Sequence, residues 1–137
     1  MQLTPIIAIH MSAALTALVL GPLVFWARLG QTIRVRWHRA LGYAWTTCMV
    51  AAAISAMFIR SYDLPNIWGY TPIHLLVLVT AVGLFKAFRA LAKRDFAQHR
   101  SNMQRLYIGA CLVAGGFTLM PSRYLGQLIW GTWLGLL

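Results

Sequence analysis

The chain predicts an all-α integral membrane protein: four transmembrane helices in one bundle, built from two similar hairpins. Three observations carry that prediction. The sequence is 60% hydrophobic and only 10% charged, whereas soluble domains average about 25% charged residues. Four apolar segments approach the roughly 20 residues that a ~30 Å hydrocarbon core requires. The connections between them are short, so the 137 residues form a single domain, 1–137, with no room for a separate soluble one.

The first segment, about 5–27, opens on Pro5, which suits a first helical turn because its missing N–H would find no helical acceptor there. The stretch Met1 to Pro5 lacks the basic n-region of a signal peptide, so the segment reads as retained. Ala13, Ala14, Ala17 and Gly21 follow His10 at helical spacing. Such a stripe of small residues suits either close helix approach or a flat ligand. The second segment, about 41–59, is led in by Trp37-His38-Arg39 and carries Ala51, Ala52, Ala53, Ser55 and Ala56. Counted as helix from His38 to Arg60 it is ~33 Å long at 1.5 Å per residue, which sets His38 at one boundary and Arg60 at the other.

Pro65, Trp68 and Tyr70 give the following loop an interfacial composition. The third segment, about 71–90, opens Thr71-Pro72-Ile73-His74 and ends among Lys86, Arg89 and Lys93, whose long side chains can snorkel. The fourth, about 101–120, follows Gln98-His99-Arg100, contains Gly109, Ala110, Ala114, Gly115 and Gly116, and is closed by Pro121. The tail, 124–137, with Trp130 and Trp133, is too short to span and reads as an interfacial or fold-back segment. Cys48 and Cys111 lie inside apolar segments with no metal-ligand spacing, as small buried residues do.

The formal charge of +10 would suggest nucleic acid in a soluble chain. Its distribution excludes that reading. Arg28, Arg34, Arg36 and Arg39 crowd the first link, and Lys86, Arg89, Lys93, Arg94, Arg100 and Arg105 crowd the third. Arg60, Asp63 and Arg123 are all that the opposite side holds. The positive-inside rule puts both basic links in the cytoplasm and both termini on the periplasmic side. The lipid bilayer is then the first partner, with anionic headgroups against the cytoplasmic face.

Each half has a Thr-Pro opening, an outer histidine, a basic link, a His-Arg pair and a second helix rich in small residues. A duplicated hairpin places His10 and His74 at one depth, and His38 and His99 at another. An ionisable side chain at membrane depth is costly and marks a functional site by default. Two histidines at matching depth on different helices are what a b haem needs for axial ligation. His10 and His74 meet that requirement on the outer side, His38 and His99 at the inner boundary. Arg39 and Arg100 stand nearest in sequence to the inner pair as partners for haem propionates, and Arg60 or Arg123 serves the outer side. Read without a cofactor, the same histidines make interhelical hydrogen bonds, each contributing only about 1 kcal/mol in a membrane. Copper or zinc would want soft or acidic ligands beside the imidazoles; glutamate is absent, and the two aspartates fall in loops. No nucleophile–base constellation or phosphate-binding loop is visible.

Four stretches resemble a bacterial inner-membrane family catalogued as domain of unknown function 2306. They are Ile9-His10-Met11-Ser12 leading to Gly21-Pro22; His38-Arg39-Ala40-Leu41-Gly42; His99-Arg100-Ser101-Asn102-Met103; and Ala114 to Arg123, with its Phe-Thr-Leu-Met-Pro-Ser-Arg ending. The likeness covers nearly the whole chain and implies residence in a bacterial inner membrane, but no activity. In architecture alone, the paired histidines are similar to two-haem cytochromes of the b561 kind. That analogy implies electron transfer across the bilayer, often with quinone.

The expected function is that of a membrane-embedded b-type cytochrome, a haem-dependent oxidoreductase or electron-transfer subunit. It would bind one or two b haems through His10, His74, His38 and His99, and pass electrons across the bilayer to or from a quinone. The alternative is a cofactor-free membrane subunit, a homo-oligomer or a scaffold of a larger inner-membrane complex.

Overall fold

The computed structural model describes residues 3–29, 34–60, 62, 65–121 and 123–136, and among these the chain is helical, with no strand. Helix α1 runs Pro5–Trp26, and the Thr4 hydroxyl at its start accepts a hydrogen bond from the Ile7 N–H at 3.4 Å. Helix α2 is Val35–Ala56. Helix α3 is Leu75–Ala92, entered through a 3₁₀ turn, Pro72–His74. Helix α4 comprises Phe96–Leu106, a π-wound stretch Tyr107–Val113, and Ala114–Thr118. A short tail helix, α5, starts at Tyr124–Gly126 and continues π-wound through Gln127–Trp133.

Two helices begin earlier than the apolar runs suggest. Helix α2 starts at Val35 rather than near 41, and α4 at Phe96 rather than near 101. Hydropathy marks where lipid contact would begin, whereas helical hydrogen bonding continues into a polar turn. At α4 the stop is a cap: the Asp95 carboxylate accepts from the Gln98 N–H at 3.0 Å. His38 and His99 therefore stand inside the first turns of helices, held rigidly, rather than in links.

Helix α1 packs on α2, α2 on α3 and α3 on α4, and the π stretch of α4 returns to α1. Chain direction alternates, so both basic links lie at one end. The loop after α2 and the tail helix lie at the other. A buried cluster of Ala17, Trp45, Met49, Leu84, Leu106 and Cys111 occupies the middle. Cys48 and Cys111 are free thiols; Cys111 is buried as expected, whereas Cys48 is half-buried. The outward faces are apolar too: Leu15, Val19, Ile54, Phe85 and Val113 are all exposed. In α1 only Ala17 and Gly21 are buried. A helix apolar on every face yet barely covered by its own chain needs lipid or a partner around it. Pro5–Trp26 and Pro72–Ala92 are long and apolar enough to cross a membrane.

The ends are tied down locally. Ile67 and Tyr70 exchange backbone hydrogen bonds at 2.9 and 3.0 Å across a tight turn. Its central residues, Trp68 and Gly69, have φ of 54° and 84°, the positive pair that a type I′ turn requires. Arg60 stacks over Tyr70 at 3.8 Å and donates to the Trp68 carbonyl at 2.9 Å. At the other terminus the tail folds back on α4, where Trp130 Nε1–H donates to the Leu119 carbonyl at 2.7 Å.

Candidate functional site

The inner histidines repeat one arrangement. His38 Nδ1–H, at the start of α2, donates to the carbonyl of Val24 near the end of α1 at 3.1 Å. His99 Nδ1–H, at the start of α4, donates to the carbonyl of Ala87 near the end of α3 at 2.9 Å. Each ring thus reaches back to the C-terminal part of the helix before it, where the helix dipole is negative. The backbone bond fixes the tautomer and leaves Nε2 of both rings with its lone pair free. The two rings come from different hairpins and are close enough for a charge on one to act on the other.

Beneath this pair two buried donors have no partner: Trp45 Nε1–H and an Asn102 Nδ2 N–H. Trp45, only 4% exposed, follows His38 by two helical turns, and its side chain leans back toward the basic end as helical side chains do. Asn102 follows His99 by one turn on the same face. Trp45 belongs to the central cluster itself. A buried donor left unmade costs about 1–3 kcal/mol, so this zone calls for an acceptor.

The outer histidines differ from each other. His10 Nδ1–H donates to the Ala52 carbonyl at 2.9 Å, with Ser55 Oγ at 3.2 Å, and Nε2 remains free. His74 has both nitrogens engaged: Nδ1 accepts from the Thr71 N–H at 3.0 Å, and Nε2–H donates to the Ile59 carbonyl at 2.9 Å. His74 is therefore a cap joining the start of α3 to the chain beyond α2. Tyr70 stands edge-on against it at 5.1 Å.

His10 and His74 line one cavity of about 280 Å³ between the helices. Ala14 and Ala17 of α1, Met49 and Ala53 of α2, and Ala110 and Cys111 of α4 make its walls almost wholly apolar. Thr80 of α3 joins them, and Arg123 and Tyr124 contribute from the tail. The small-residue stripe of α1 divides its work. Ala14 and Ala17 leave space for the cavity, whereas a Cβ on Gly21 would strike the Tyr107 ring.

Of the basic residues expected to assist, Arg39 and Arg100 are exposed in the first turns of α2 and α4, beside His38 and His99. Arg60 is committed to the outer turn, which leaves Arg123 as the outer arginine that faces the cavity. Among the described residues no three His, Cys, Asp or Glu side chains gather as a metal centre. Thr80, Trp45 and Asn102 escaped the reading of the sequence. Helical spacing from His38 and His99 carries a signal for the last two, while Thr80 resembles any small polar residue in an apolar helix.

No curated protein and no solved structure matches the chain. The family described as predicted membrane protein (DUF2306) matches residues 7–130. That span includes all four histidines, both basic links and most of the tail helix. The chain belongs to this membrane-protein family.

Proposed function

We propose that the protein is a membrane-embedded b-type cytochrome in which α1 to α4 span the bilayer and His38 and His99 hold a b haem at the basic, cytoplasmic end. One observation carries the reading. Two histidines at matching positions in different hairpins each spend Nδ1–H on a backbone carbonyl and keep Nε2 free. Metal-bound imidazoles are oriented in this way, by a hydrogen bond from the nitrogen that does not face the metal.

Bound haem b would supply reversible one-electron chemistry at iron. The chain's residues supply the rest. The Val24 and Ala87 carbonyls orient the two rings and make them more electron-rich. Trp45 and Asn102 bring buried donors that an ordered water beneath the pair would satisfy. Arg39 and Arg100 stand at the interface, where carboxylate groups would emerge into water. The outer pair supports a second haem less well, because neither nitrogen of His74 is free and at least one of its backbone bonds would have to break.

The test is the reduced-minus-oxidised visible spectrum of protein purified from a haem-sufficient host. A b-type α-band is expected, lost alike in His38→Ala and His99→Ala and retained in His74→Ala. Loss of a second band in both His10→Ala and His74→Ala would add an outer haem. Wild-type protein without any band would overturn the reading in favour of a cofactor-free membrane subunit.

A further inference from the structure

The outer cavity has a polar pattern of its own. His10 presents an unprotonated Nε2, since Nδ1 carries the ring proton to the Ala52 carbonyl. It is an acceptor and needs a donor. Across the cavity Thr80, only 5% exposed, lines the wall from α3, and its hydroxyl makes no hydrogen bond among the described residues. It can give or accept one. The neighbouring threonine hydroxyls are already spent: Thr118 donates to the Gly115 carbonyl at 2.7 Å, and Thr71 faces His74 Nδ1 at 3.2 Å. Between the helices the cavity therefore holds one strong acceptor on α1 and one free hydroxyl on α3, inside apolar walls, with Arg123 and Tyr124 at its tail-helix side.

We infer that this cavity binds a lipid-soluble hydroquinone, with His10 Nε2 accepting a phenolic O–H and Thr80 facing the ring's second oxygen. The volume, about 280 Å³, falls just below the ~300–1,000 Å³ of small-molecule sites and suits one substituted ring. An acyl chain would fill the walls but leave both polar groups unmet, each at a cost of about 1–3 kcal/mol. Water would satisfy the polar groups and leave the apolar walls wet. A ring with hydroxyl groups satisfies both. Ala17, Met49 and Cys111 form the cavity's floor and also belong to the cluster that contains Trp45. A role for the ligand as electron donor rests on the haem reading above, but its binding does not.

The experiment uses full-length protein in lipid nanodiscs, with a decyl-substituted benzohydroquinone kept reduced under anaerobic conditions and binding read by calorimetry. The probe is expected to bind wild type and the haem-deficient His38→Ala variant alike. Affinity should fall at least tenfold in His10→Leu and severalfold in Thr80→Val, with partial recovery in His10→Gln, which restores an acceptor. The dimethyl ether of the probe, which has no O–H to donate, should bind at least tenfold more weakly. Binding of the ether or of oleate as tight as the hydroquinone's would overturn the inference. So would unchanged affinity in His10→Leu. Should His10→Leu not fold, His10→Gln and Thr80→Val against the ether decide the matter. Loss of the haem band with retained hydroquinone binding counts against the cytochrome alone; the reverse counts against this site alone.

Discussion

The hydroxyl of Tyr107 donates to the carbonyl of Leu18 at 3.0 Å, and Leu18 lies four residues before Pro22, the proline inside α1. Proline has no N–H, so the carbonyl one turn earlier loses its helical donor. A second helix supplies the missing donor from the first residue of its π-wound stretch. The Tyr107 ring lies against Gly21, where no Cβ stands in its way, and meets Phe25 edge-on at 5.7 Å. These contacts close the ring of helices by joining α1 to α4. Stretches of π-helix are frequent at functional sites, and here Ala110 and Cys111 of that stretch form the α4 wall of the outer cavity.

Removing this lock should weaken the fold in a graded way. Tyr107→Phe is expected to cost about 1 kcal/mol, the usual value of an interhelical hydrogen bond in a membrane. Gly21→Ala should cost more, because its methyl group lands in the ring. Adding Tyr107→Ala to Gly21→Ala should recover part of that loss. Thermal unfolding in detergent reads all three, and strictly additive losses would show that the two residues do not act together.

Asn102→Leu and Trp45→Phe remove the two buried donors that lack partners. With an ordered water held below the histidines, both substitutions should shift the haem midpoint potential while haem content stays near wild type. Potentiometric titration of the α-band measures the shift. An unchanged potential together with higher stability would mean that the donors meet nothing, since an apolar replacement of an unmet polar group is stabilising.

Filling the floor of the outer cavity should separate the two sites. Ala17 is fully buried and lines the cavity, so Ala17→Phe is expected to abolish hydroquinone binding while the band assigned to His38 and His99 persists. Joint loss of both would mean that the substitution acts on the whole bundle.

Gly69 has φ of 84°, and an added Cβ would stand 3.1 Å from the Arg60 side chain. Gly69→Ala should therefore destabilise the outer turn by about 1 kcal/mol or more, lowering the melting temperature without changing any spectrum. A neutral result would show that the turn relaxes freely.

Reporter fusions test orientation. A fusion in the first basic link should report cytoplasm, and one after the tail helix should report periplasm, because basic residues near helix ends resist translocation. The opposite pattern would reverse the assignment of inner and outer histidines.

The helical class and the placing of two histidines toward each end of the helices were legible from composition and spacing, because apolar composition and helical periodicity are local properties of the chain. Polar stretches such as Val35 to Ala40 carry no hydropathy signal, so the true starts of α2 and α4 were not legible. Nor was the inequality of the histidines. His10, His38, His74 and His99 look interchangeable as residues, yet three offer Nε2 and His74 offers neither nitrogen. Which nitrogen a ring keeps depends on the backbone carbonyl beside it. For His10 that carbonyl belongs to Ala52, 42 residues away. Tyr107 and Leu18, 89 residues apart, make the same point. Spacing along one helix predicts which face a residue occupies, but the group it meets is set by the packing of another helix.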